Sequence, residues 1–79
     1  MRLNRLHEYI ESKGWPFQYN ESDGCGSIDF EHKGLSYHIW EFPGDPCGAE
    51  SNLRTTARME DYFGDYEQQL LEILQSWGD

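Results

Sequence analysis

The sequence predicts an α+β fold: a three- or four-stranded antiparallel sheet with N- and C-terminal helices packed on one face, in the order α-β-β-β-(β)-α. Three observations lead there. Apolar residues recur at helical spacing near both ends, as Leu3, Leu6 and Ile10 and as Tyr66, Leu70, Ile73, Leu74 and Trp77. Between them, three runs alternate or concentrate apolar residues with the period of a strand. Turn-forming pairs, Asp23-Gly24 and Lys33-Gly34, separate those runs at hairpin spacing.

The elements follow in order. A first helix is expected from about residue 3 to 13, with Lys13 in its last turn and Gly14 just beyond it. Trp15 precedes Pro16, which biases it toward extended backbone. Residues 16–21 read as a first strand through Phe17 and Tyr19, and 27–32 as a second through Ile28 and Phe30. The third strand, 35–42, carries large groups on both faces: Leu35, Tyr37 and Ile39 on one, His38, Trp40 and Phe42 on the other. Phe17, Tyr19, Ile28, Phe30, Leu35, Tyr37 and Ile39 form the expected core face.

Residues 43–52 read as the longest irregular stretch, rich in Pro and Gly. In 53–58, Thr55 and Thr56 favour a short fourth strand or extended segment. The last helix begins after Asp65, a cap, with Gln68 at the capping-box position, and Gly78 ends it. Two helices on one sheet face bury both apolar stripes. No repeat, low-complexity run or linker divides the chain, so residues 1–79 read as a single small domain.

This order resembles that of double-stranded-RNA-binding domains in topology alone. Those domains hold phosphates with a basic cluster at the start of the second helix. The matching stretch here, Glu60-Asp61-Tyr62-Phe63-Gly64-Asp65-Tyr66-Glu67, is acidic and would repel a duplex.

Composition narrows the function. Fifteen acidic and six basic residues give a net charge of -9, which disfavours nucleic acid and anionic membranes as ligands. It fits a cytoplasmic protein, or one that meets a basic partner. The start, Met1-Arg2-Leu3-Asn4-Arg5, has no apolar run of an export signal, and no stretch approaches the roughly 20 apolar residues that span a bilayer. Two cysteines, Cys25 and Cys47, then imply free thiols in a reducing compartment. Three Trp, five Tyr and four Phe supply the bulk of a core that 79 residues must build economically.

Chemical motifs are weak. Cys25, His32, His38 and Cys47 are suitable zinc ligands, but they lack the closely spaced pairs of compact metal sites. Cys47 lies between Asp45 and Glu50, whose charges blunt a thiolate; thiol chemistry there is the one enzymatic exception. Carboxylates are abundant, but fifteen of them make chance pairs inevitable. No glycine run has the spacing of a phosphate loop. No cofactor, metal or catalytic residue is expected.

The expectation is therefore a small protein-binding or regulatory module without catalytic activity, acting on a protein partner or on a second copy of itself. Its candidate partner surface is His38, Trp40, Glu41, Phe42, Asp45 and Glu50, with Trp40, Phe42 and Glu41 on the open face and Asp45 and Glu50 at the rim. The alternative is an acidic DNA-mimic inhibitor of a nucleic-acid-binding protein.

Overall fold

The computed structural model describes residues 2–44, 46–54 and 58–77. Helix α1 is Asn4–Lys13, and five strands follow: β1 Phe17–Ser22, β2 Cys25–His32, β3 Leu35–Phe42, β4 Gly48–Ser51 and β5 Glu60–Phe63. Helix α2 is Tyr66–Ser76. All five strands belong to one antiparallel sheet in sequential order, β1-β2-β3-β4-β5.

Each joint has a local cause. Helix α1 closes with paired bonds at Gly14, where Gly14 N–H donates to the Glu11 carbonyl and Trp15 N–H to that of Ile10. The β1–β2 and β2–β3 turns each hold two residues at positive φ, Asp23-Gly24 and Lys33-Gly34. That geometry matches the right-handed twist of the strands it joins, and glycine takes the second position without a Cβ clash. Registers follow: Phe17 lies opposite Phe30, Ile28 opposite Ile39 and Phe30 opposite Tyr37.

Both helices lie on the face that carries Ile28, Phe30, Tyr37 and Ile39. Leu6, Ile10, Leu70 and Leu74 are fully buried there, and Ala49, Leu53 and Tyr62 complete the core. At one end, Trp15 and Trp77 flank the buried His32, with ring centroids 4.5 and 4.7 Å from the imidazole.

Three sequence expectations change. The sheet has five strands, because Gly48–Ser51, inside the expected loop, adds to β3, and Glu60–Phe63 adds to it in turn. β4 contains no β-branched residue; burial of Ala49 between Glu41 and Tyr62 decides its conformation over propensity. The extended segment expected at 53–58 is not a strand where it is described: Leu53, Arg54 and Arg58 lie in bends, and 55–57 fall outside the described residues. Leu35, placed in the core by alternation, is 48% exposed, because it sits at the end of β3 beyond the cover of the helices. The expected stop at Gly78 also lies outside the described residues.

The helix starts are joined to each other. Asp65 caps α2 as expected, accepting from Gln68 N–H at 3.2 Å. Helix α1 has no side-chain cap of its own, and Leu3 before it adopts a left-handed conformation. Instead Glu67 of α2 accepts from the backbone N–H groups of Arg5 (2.7 Å) and Leu6 (3.3 Å). Arg5 returns the contact through its guanidinium to Asp65, Glu67 and the Gln68 side chain. A negative charge at a helix N-terminus is favourable wherever it comes from.

Candidate functional site

Strand alternation divides the sheet into two unlike surfaces. The face away from the helices carries Ser27 and Asp29 of β2, His38, Trp40 and Phe42 of β3, Gly48 and Glu50 of β4, and Asp61 and Phe63 of β5. Trp40 is 44% exposed and Phe63 46%. Residues 48–51 widen the sheet beside β3 and do not fold over it, so these rings keep one face to solvent.

Register places three side chains in one row across three strands: Trp40 opposite Glu50, and Glu50 opposite Asp61. On the other side of Trp40 stands Ser27, too small to cover the indole. The next row holds Phe42, Gly48 and Phe63. The Phe42 and Phe63 rings meet edge to face at 5.8 Å above the glycine between them. A Cβ on Gly48 would stand 2.5 Å from the Tyr62 carbonyl oxygen and 2.9 Å from the Phe63 ring, so this contact requires glycine. Toward the other end, His38 Nδ1 lies 2.5 Å from Asp29 Oδ1. An ionised carboxylate only accepts, so Nδ1 carries the proton.

Of the expected surface residues, His38, Trp40, Phe42 and Glu50 lie together on this open face. Asp45 falls outside the described residues. Glu41 does not belong to the surface, which corrects the sequence reading. It alternates with Trp40 and Phe42, points under the helices and is only 4% exposed. There it accepts from Arg2 Nε at 2.6 Å, Arg2 Nη2 at 3.2 Å, Gly26 N–H at 2.8 Å and the Tyr66 hydroxyl. Burial alone would raise its pKa, but these bonds and the Arg2 charge outweigh it, and the Glu41 carboxyl sits below its ordinary value. Tyr66 moves up, through burial and then through its bond to Glu41. Glu41 therefore ties the start of the chain and the start of α2 to the sheet.

Phe63 and Asp61 were missed, because Glu60–Glu67 read as an acidic approach to a helix. The available signal was the pair Tyr62-Phe63 before Gly64, one aromatic for each face of a short strand. The zinc constellation fails on parity: His32 faces the helices and His38 the open side. Cys25 and Cys47 are both free thiols.

Compared with known proteins, the chain matches no family model, no curated protein and no solved structure. Among the described residues, no helix is long and apolar enough to cross a membrane.

Proposed function

We propose that this chain is a small, non-catalytic binding module whose open sheet face docks a basic protein. Charge is the observation that carries the reading. The open-face strand positions include Asp29, Glu31, Glu50 and Asp61, and not one lysine or arginine. The six basic residues stand elsewhere: Arg2, Arg5 and Lys13 on the helix side, Lys33 in a turn, Arg54 and Arg58 between β4 and β5. Half-exposed Trp40 and Phe63, with the partly buried Phe42, lie amid these acids, an apolar centre with a charged rim. Trp is the residue type most often dominant in such contacts. A second copy of this chain is disfavoured as occupant, because equal acidic faces would repel. The two free thiols favour a reducing, cytoplasmic setting.

The test is capture from extract on immobilised wild type and on Trp40→Ala, followed by direct titration of the captured protein in purified form. The expected partner has a basic surface, binds wild type directly, weakens as salt rises and loses roughly tenfold or more in affinity against Trp40→Ala. An identified partner that binds both proteins equally would remove the open face from the function. If Glu50→Gln and Asp61→Gln weaken binding while Trp40→Ala does not, and the partner is a nucleic-acid-binding protein, a DNA-mimic reading replaces this one. Sizing of the free protein as a dimer dispersed by Trp40→Ala would make a second copy the occupant.

A further inference from the structure

The row Trp40–Glu50–Asp61 holds an arrangement the fold itself does not use. Glu50 and Asp61 are directly opposite on neighbouring antiparallel strands. Residues so placed have Cβ atoms about 4.5–5.5 Å apart, and like charges there destabilise the pair. Among the described residues neither carboxylate makes an ion pair or a side-chain hydrogen bond. Asp29 on the same face is engaged by His38, and Glu60, which points the other way, lies 3.8 Å from Arg54. The repulsion between Glu50 and Asp61 thus stands uncompensated beside the Trp40 indole, which is 44% exposed with the His38 ring tilted against it at 6.4 Å. Threonine at either position would suit a strand better and remove the repulsion.

Resting on the docking reading above, we infer that the partner group seated on this row is an arginine side chain. A guanidinium is planar. It stacks on an aromatic face and presents its N–H groups as a fork that can meet two carboxylates at once. Trp40 supplies the face, and Glu50 and Asp61 supply two acceptors in line with it. A lysine ammonium would meet the same negative potential as a compact, strongly hydrated point charge, without the stacking or the fork. The neighbouring Phe42–Phe63 pair then receives the apolar residues that flank the arginine.

The measurement is an NMR titration of the isotopically labelled chain with two blocked tripeptides, Leu-Arg-Leu and Leu-Lys-Leu, at low salt. The arginine peptide should shift the Trp40 indole N–H and the amides of Glu50 and Asp61, with an affinity roughly threefold or more above that of the lysine peptide. Trp40→Ala should abolish that preference. Thermal unfolding gives a readout that needs no ligand. Glu50→Thr and Asp61→Thr should each raise the midpoint by a few degrees at low salt, with a smaller gain at high salt.

Equal affinity for both peptides, or arginine-induced shifts confined to helix-side acids such as Glu8 and Glu72, would overturn the inference. So would a lower midpoint in both threonine variants, since the carboxylates would then be structural. Each of these results leaves the docking reading intact as long as the purified partner still requires Trp40. A partner indifferent to Trp40→Ala sinks the docking reading itself.

Discussion

The two faces of this sheet are made by the same strands and differ in how fully their groups are matched. Beneath the helices, Ile28, Ile39, Leu6, Ile10, Leu70 and Leu74 are completely enclosed. The one buried carboxylate among the described residues, Glu41, has four donors around it. On the open face, Trp40 and Phe63 remain half exposed, and Glu50 and Asp61 oppose each other with no cation beside them among the described residues. A buried charge persists only when paired and hydrogen-bonded, whereas an exposed one costs little enough to be kept for other purposes. The contrast separates what holds the molecule together from what it presents to other molecules.

The contrast can be broken most forcefully from below. Ile39→Ala or Leu70→Ala should cost about 2–5 kcal/mol, a large part of the stability of so small a domain, as read by denaturant unfolding. If either loss were no greater than that of an open-face substitution, the assignment of the core would be wrong. Glu41→Ala should come next, at about 1–3 kcal/mol, because it leaves the buried Gly26 N–H without its acceptor.

Acid sharpens the same point. The folded-state pKa of Glu41 lies below its ordinary value of 4.5. Its stabilisation is therefore complete above the unfolded-state pKa and is lost as pH falls through the lower, folded-state pKa. The wild type should lose stability across that acidic window, and Glu41→Gln should lose less. Parallel pH curves for the two would show that the Arg2–Glu41–Tyr66 contact contributes nothing.

Gly48→Ala acts on the open face, in the row of Phe42 and Phe63. The added methyl meets the Tyr62 carbonyl and parts Phe42 from Phe63, at a cost of about 1–3 kcal/mol measured by thermal unfolding. The smallest effect belongs to Trp40→Ala, which should change stability by only about 0.5 kcal/mol. A loss as large as that of Ile39→Ala would mean that the indole is part of the core.

The sequence allowed this division to be foreseen where periodicity was strong. In β3, alternation placed Tyr37 and Ile39 beneath the helices and Trp40 and Phe42 on the other side. It failed where a tertiary neighbour overrode local signals. Gly48-Ala49-Glu50-Ser51 carries the composition of a loop, and only β3 and β5 on either side make it a strand. Glu41 reads as part of the partner surface beside Trp40 and Phe42, although its parity with Ile39 points inward; its compensating cation, Arg2, lies 39 residues away in the chain. The capping of α1 by Glu67 was invisible for the same reason, since the two helices are consecutive in space and distant in sequence.

The sequential strand order also dictates a route of assembly. Each strand hydrogen-bonds only to those next to it in the chain, so each β1–β3 hairpin closes a loop of two residues. The Arg5–Glu67 link, by contrast, joins positions 62 residues apart. Loop-closure entropy favours the hairpins as the early events and leaves the clasp between the helix starts for the end. In stopped-flow experiments Gly34→Ala should chiefly slow folding, while Arg5→Ala should chiefly quicken unfolding. Equal slowing of folding by both would place the clasp in the transition state.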